Sequence, residues 1–287
     1  MAPRFFVSDV VSKISSRDER EGYAVKWRIN PHMRPGRTSL DRAVAQHTAL
    51  VRALQQAGAQ VARWPFVPGC HDCVFVKDTA LLLDRPGGPV ALLSAFRHPE
   101  RQCEQGARRA ALIAHGFRVH NTATFLEGGD VVRLGDTLLL GFGFRTQRAA
   151  VDVVADFART EVLPLELVDE RLYHLDTALA ALSDGTVLVC REAFTAASFA
   201  ALGAHRAVRE LLEVPLDAAL AFGLNLVEVG EHVILGAGAP AVEELISASG
   251  RTPVPVEMDQ FLLAGGSAAC LSAPVHDLGA VAVERAA

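Results

Sequence analysis

Short apolar runs alternate along this chain with longer stretches whose apolar positions recur at helical spacing. The first helical stretch runs from Leu40 to Ala57, where Ala43, Leu50, Val51 and Leu54 fall on one face. Thr38 or Ser39 is placed to cap it and Gly58 to stop it. Four more helices are predicted: Pro99 to His115 ahead of Gly116, Gln147 to Arg159, Ala196 to Leu212, and Pro240 to Ser249 ahead of Gly250. The runs between them read as strands, in four pairs. These are Val74 to Leu83 with Val90 to Ser94, Asp130 to Leu134 with Thr137 to Gly141, Leu179 to Leu182 with Thr186 to Cys190, and Leu226 to Val229 with His232 to Leu235. Gly135-Asp136, Asp184-Gly185 and Gly230-Glu231 are tight turn signals inside three of these pairs.

The resulting order is a hairpin, a helix and another strand, recurring about every fifty residues. Five such units must pack around a common axis to bury their sheets. No Pro- or Ser-rich linker interrupts the pattern, so residues 1–287 read as a single domain of five ββαβ-like repeats of α/β class. The stretches from Pro31 to Pro35 and from Pro86 to Pro89 read as loops between units or at hairpin tips.

Composition narrows the function. Half of the 287 residues are hydrophobic and 21% are charged, which supports a sizeable core and excludes a disordered chain. There are 28 Lys plus Arg against 33 Asp plus Glu, with no basic block, so no footprint for nucleic acid or an acidic membrane is present. The apolar runs Leu138 to Phe144 and Ala218 to Leu224 are too short to span a bilayer. The first nine residues lack a signal-peptide pattern, so a cytoplasmic location is expected. The five cysteines, an odd number, argue against a disulfide framework. Cys70-His-Asp-Cys73 has the gap of half a zinc site, but no second close pair is evident, so Cys70 and Cys73 read as two buried thiols and no metal is expected.

Four stretches embed polar residues between apolar strands: Asp72 to Asp78, Glu127-Gly-Gly-Asp130, His174-Leu-Asp176, and Gly265-Gly-Ser-Ala-Ala-Cys270. Each lies at a strand end or Gly-rich turn, where a rigid scaffold can present side chains to a cleft. Singly, Cys270 reads as a buried structural cysteine, His174 as a hydrogen-bonded histidine at a strand start, and the Glu127 turn as solvated carboxylates. Together they suit attack on a carbon flanked by nitrogens. Carboxylates hold a planar cation, a thiolate attacks, and a histidine protonates the departing amine. On a strand, His174 and Asp176 would face the same side. Asn225 has only a turn role to recommend it.

With these residues in place, the chain resembles the guanidino-group modifying enzymes, or penteins, which include dimethylarginine dimethylaminohydrolase, arginine deiminase and the amidinotransferases. The resemblance spans nearly the whole chain and rests on the acidic stretch ending Phe75-Val-Lys-Asp78, the Glu-Gly-Gly-Asp turn, the His-Leu-Asp stretch and the Gly-rich turn before Cys270. It implies a five-bladed α/β propeller with pseudo-fivefold symmetry, in agreement with the repeat period. It further implies Cys270 as nucleophile, His174 as general acid/base, and Asp72, Asp78, Glu127 and Asp176 as carboxylates around the guanidinium and the histidine. Arg97 and Arg145 match arginines that bind the substrate carboxylate, a good partner for a guanidinium fork. Asn30, in Ile29-Asn-Pro-His-Met33, matches an N-terminal motif that usually has Trp where His32 stands.

Two departures bear on the substrate. Dimethylarginine hydrolases usually carry Glu at the position of Lys77 and Lys at that of Asp176, so the two signs are exchanged here. A carboxylate at Asp176 is shared with arginine deiminases and amidinotransferases and suits an unsubstituted guanidinium. The resemblance implies a cofactor-free C–N hydrolase of arginine or methylated arginine, working through a thiouronium on Cys270 and giving citrulline plus amine or ammonia. Arginine deiminase or amidinotransferase activity is the alternative, and a non-catalytic guanidine-binding protein is the contrasting class. The expected partners are a small guanidine and, at most, further copies of the chain in a homo-oligomer.

Overall fold

The computed structural model describes residues 2–13 and 21–278; residues 1, 14–20 and 279–287 of the expected domain lie outside the described residues. The chain starts with β1 (Arg4–Ser8), crosses through α1 (Leu40–Gln56), and returns in β2 (Gln60–Trp64), parallel to β1. An antiparallel pair follows, β3 (Ala80–Asp84) and β4 (Val90–Leu93), then α2 (Pro99–Gln102), α3 (Glu104–Ala114) and β5 (Arg118–Asn121), parallel to β4. The pattern recurs with β6 (Val131–Leu134), β7 (Thr137–Phe142), α4 (Ala150–Ala158) and β8 (Val162–Glu166). Next come the helical turn α5 (Leu175–Ala178), β9 (Leu179–Ala181), β10 (Thr186–Val189), α6 (Ala196–Gly203) and β11 (Glu210–Glu213). The chain continues through α7 (Leu216–Leu220), β12 (Val227–Val229), β13 (His232–Gly236), α8 (Pro240–Ala248) and β14 (Thr252–Val256). It ends with the short α9 (Asp259–Leu262) and β15 (Ala273–Asp277).

On its other edge β1 pairs with β15, antiparallel to it with Phe5 opposite Pro274, and β15 also runs parallel to β3. The last strand therefore completes the first unit and joins it to the second in one six-stranded sheet. This hairpin has no turn, because its strands come from opposite ends of the chain, and no local signal could mark it.

Apolar packing links each unit to the next. Phe6 and Trp64 of the first unit pack with Leu82, Leu93 and Leu112 of the second. Leu81 and Leu92 meet Leu138, Leu140 and Val154 of the third. A larger cluster runs from Leu139 through Leu188 and Leu202 to Val233 and Val242, joining the third, fourth and fifth units. Leu50 and Leu54 of α1 then pack with Val229, Ile234 and Val256 of the fifth. Each fully buried Leu or Val contributes about 1.5–3 kcal/mol by leaving water. Ser39 caps α1 by accepting from Arg42 N, and Gly58 follows at φ +100°.

Several elements differ from the sequence expectation. The helix from Ala196 stops at Gly203, and Glu210–Glu213 is a strand held by parallel pairing with Thr186–Val189, a partner distant enough in sequence to override the local helical pattern. The stretch from Val74 to Leu83 is strand only from Ala80. Before it, His71–Val74 and Val76–Thr79 are 3₁₀ turns that carry Asp72 and Asp78 inward. His174 and Asp176 are not on a strand: His174 is the N-cap of α5 and Asp176 lies in its first turn. The expectation of two buried thiols also fails for Cys70, which is joined to Cys103 in a disulfide with Cα atoms 6.1 Å apart; Cys73 remains a free buried thiol. Cys103 lies 33 residues on, at the start of α3, a neighbour that local spacing cannot reveal.

Candidate active site

Turns at the inner ends of the units hold the polar stretches together. Gly129 has no room for a side chain, since a Cβ there would stand 2.7 Å from His174 Nδ1 and 2.5 Å from an Asp78 carboxylate oxygen. The glycine lets the second, third and fourth units meet at this point. His174 Nε2 lies 3.1 Å from Glu127 Oε2, and Nδ1 lies 3.5 Å from Asp78 Oδ1. Nε2 is hydrogen-bonded to the Glu127 carboxylate, while Nδ1 faces Asp78 as an ion-pair neighbour without a hydrogen bond, so anions on both sides favour the imidazolium. Burial opposes that charge, but Asp78, Asp130 and Glu127 outweigh it and raise the His174 pKa to about 9.

Glu127 is fully buried and ionised. Burial favours its neutral form, but Arg145 and the His174 hydrogen bond hold the carboxyl well below the usual range. Arg145 Nη1 donates to Glu127 Oε2 at 3.2 Å and Nη2 to the Ile29 carbonyl at 2.8 Å, while its guanidinium lies over the Tyr173 ring. Arg97 is different: its side chain is exposed, and only its backbone N–H reaches the site, donating to Glu127 Oε1 at 3.1 Å.

Cys270 is 2% exposed, with Sγ 3.8 and 4.0 Å from the two Asp176 carboxylate oxygens. Burial, then Asp176 and Asp78, push its thiol well above the ordinary range. Burial also raises Asp176 to about 6, although Lys77 pulls the other way. Lys77 Nζ stands 3.8 Å from Asp176 Oδ2, so the residues whose signs are exchanged relative to the hydrolases face each other as an ion pair. Asp72 Oδ2 accepts from Trp27 Nε1 at 2.7 Å, while Asp72 Oδ1 and Asp78 Oδ1 lack hydrogen-bond partners. Such unpaired buried carboxylate oxygens are costly unless a ligand supplies donors.

Asn30 donates to the Tyr173 hydroxyl at 3.2 Å and the Ala264 carbonyl at 2.9 Å, fixing the loop that borders the site. Asn30, Asp72, Asp78, Arg145, His174 and Cys270 all line one narrow cavity. A larger cavity, about 410 Å³, lies beyond the Lys77–Asp176 pair and is walled by the inner strand ends of several units. It holds none of the other candidate residues, so the chemistry is assigned to the narrow cavity.

The sequence reading missed Arg101 and Asn225. Arg101 is buried, makes a two-pronged pair with Glu104 at 2.8 and 3.0 Å, and donates to Asp78 Oδ2. Its signal was present: Arg101, Glu104 and Arg108 share the inward stripe with Leu112, where helical spacing calls for apolar residues. Asn225, far from a mere turn residue, touches Cys270.

Asp78, Glu127 and His174 each offer one potential metal-ligand atom within 4.8 Å of the others. As an imidazolium His174 would have to give up a proton to bind a metal, and the same carboxylates suit a cation that donates N–H groups. Dialysis against a chelator is expected to leave turnover unchanged; loss of activity restored by added zinc would contradict this.

The family model for N,N dimethylarginine dimethylhydrolase, eukaryotic, matches residues 29–277. The chain belongs to this family. It is 33% identical over 256 residues to the N(G),N(G)-dimethylarginine dimethylaminohydrolase of Mycobacterium tuberculosis, covering 88% of this chain and 83% of that one. It is 32% identical to the bifunctional arginine dihydrolase/ornithine cyclodeaminase ArgZ of Synechocystis, of which it spans only 36%. The crystal structure of the product-bound N-terminal domain of ArgZ, an arginine dihydrolase, superposes with a TM-score of 0.88 at 29% identity, over 96% of this chain and 98% of that domain. The α/β fold of this family member is thus shared with the arginine dihydrolase domain.

Proposed function

We propose that this chain is a guanidino C–N hydrolase acting on arginine or a methylated arginine through a covalent intermediate on Cys270. The observation that carries the reading is that Cys270, whose Sγ lies beside the Asp176 carboxylate, lines one cavity with an imidazolium flanked by Glu127 and Asp78; Asp176 itself lines the larger cavity on the other side. The guanidinium sits between Asp176 and the unpaired oxygens of Asp72 and Asp78. Its positive charge offsets the carboxylates that keep the proton on Cys270, so substrate binding favours the thiolate. The thiolate attacks the central guanidinium carbon, and His174 protonates the nitrogen whose bond to that carbon breaks. The amine leaves, and neutral His174 takes a proton from the water that attacks the thiouronium. Collapse returns the sulfur and releases citrulline. Asn30 and Arg145 border the amino-acid end of the cavity. The neighbouring cores, closing from the fifth unit back to the first, support a five-bladed propeller in a single domain around this site.

Arginine is the substrate that Asp176 favours over asymmetric dimethylarginine. A carboxylate needs N–H donors, and dimethylation removes both from one terminal nitrogen. Support comes also from the ArgZ domain, a variant of which is covalently bonded to a reaction intermediate. Citrulline release from arginine and from methylated arginines, compared as kcat/KM, tests the reading; no citrulline from any of them would end it. Equal losses for both substrates in Asp176→Asn would show that Asp176 does not discriminate.

Two of the perturbed groups, Asp176 and His174, set the expected pH profile. Below about 6 Asp176 gains a proton and loses its hold on the cation; above about 9 His174 loses the proton it gives the amine. The kcat/KM profile is therefore expected to be bell-shaped between these values. In Asp176→Asn the acid limb should vanish while the alkaline limb stays; an acid limb that persists unchanged would remove Asp176 from this role.

A further inference from the structure

Asn225 is fully buried, and every hydrogen-bonding position of its side chain is directed at the segments that form the Cys270 site. Its Oδ1 accepts from Ser267 N at 3.2 Å and from Cys270 N at 3.1 Å. Its Nδ2 donates to the Asp176 carbonyl at 3.1 Å and stands 3.1 Å from Cys270 Sγ. The amide orientation is fixed by the backbone, because two N–H groups on one side require the oxygen and a carbonyl on the other requires the NH₂. One N–H is thus left to point at the sulfur. We propose that Asn225 is a catalytic residue whose Nδ2–H donates to Cys270 Sγ and stabilises the attacking thiolate, while Oδ1 holds the Cys270 turn in place.

The chemistry favours the charged sulfur. A hydrogen bond to an anion is roughly twice as strong as one to a neutral acceptor, so this donor selects thiolate over thiol. With the backbone of Ser267, which also favours the thiolate, it opposes the charged groups around Cys270. Asp176 and Asp78 repel a negative sulfur, Lys77 reaches it only through Asp176, and His174 and Tyr173 lie on the same cavity with their own partners. The loop that presents Asn225 is set by Phe222 at φ +62° and by the bond from Asn225 N to Phe222 O. A non-glycine residue in that conformation is strained and persists where its surroundings hold it.

The inference rests on Cys270 being the nucleophile, and the experiment separates the two. The rate of Cys270 alkylation by iodoacetamide is followed against pH in the wild type and in Asn225→Asp, with the modified peptide identified by mass. Asp keeps the acceptor for the two amides but replaces the donor with a charged oxygen, so Asn225→Leu, which removes the donor without adding charge, is measured beside it and must raise the midpoint as well. The midpoint of alkylation is expected to rise by about one pH unit or more, with kcat at neutral pH falling at least about tenfold and KM nearly unchanged. An unmoved midpoint in a folded variant overturns the proposal, even if activity falls, because a purely structural role would not shift the titration. Should Asn225→Asp fail to fold, the wild type with ¹⁵N-labelled asparagine serves instead. The Asn225 side-chain amide proton should move downfield with the same pH midpoint as Cys270 ionisation, and a constant shift across that midpoint overturns the proposal. Activity retained in Cys270→Ser would instead remove the nucleophile reading on which the inference stands.

Discussion

Cys270→Ser is expected to fold and to bind guanidine substrates while losing turnover by at least about a thousandfold. Serine keeps the volume and the hydrogen bond from Asn225, and Cys270 makes no disulfide, so the core is undisturbed. What changes is acidity. Even the thiol is pushed up here by burial and by Asp176 and Asp78, and a hydroxyl is far harder to ionise in the same place. Citrulline production beside a thermal melt separates chemistry from folding. Turnover near wild type in a variant that melts like wild type would remove Cys270 from the reaction.

Glu127→Gln is expected to lower kcat by about 100- to 10,000-fold, the range for losing a general acid or base. Glu127 accepts from three donors: Arg97 N at 3.1 Å on Oε1, and Arg145 Nη1 at 3.2 Å and His174 Nε2 at 3.1 Å on Oε2. A glutamine presents an NH₂ to one of those sets whichever way it is turned. The loss of charge also leaves Arg145 buried without its partner, and breaking such a pair costs about 3–5 kcal/mol. His174 keeps Asp78 and Asp130 but loses the Glu127 charge and its ionic hydrogen bond, so its pKa drops below the wild-type value of about 9 and the alkaline limb of kcat/KM moves to lower pH. Stability has the matching sign. Because the folded-state value lies above the ordinary 6.5, the stabilisation from His174 is present below that pH and is lost as pH rises through about 9. Urea titrations across that window should show a smaller decline in Glu127→Gln. An alkaline limb that stays at its wild-type position would contradict the assignment.

Much of the site was readable because its residues lie in short polar stretches against apolar surroundings. Glu127, His174, Asp72, Asp78 and Cys270 stand out that way, and the structure brings all five into one place. Their backbone setting was less readable. The run from Val74 is apolar enough for a strand, yet the buried carboxylates at Asp72 and Asp78 turn it into 3₁₀ loops whose carbonyls at Asp72 and Phe75 are claimed by Arg101. Arg101 itself was hidden in a helix, and Asn225 in a turn, because each is made functional by partners distant in sequence. The Cys70–Cys103 bond and the β1–β15 pair are of the same kind. Arg97 and Arg101 show the limit of spacing most plainly: they are one helical turn apart at a helix entrance, and only the second turns inward.

Rapid mixing with arginine, acid quenching and mass analysis of the peptide containing Cys270 test the central claim most directly. The account predicts that this peptide transiently gains the mass of arginine less ammonia, and that the adduct decays at the rate at which citrulline appears. Citrulline formed with no adduct on Cys270 at any time, or an adduct on another residue, would contradict it.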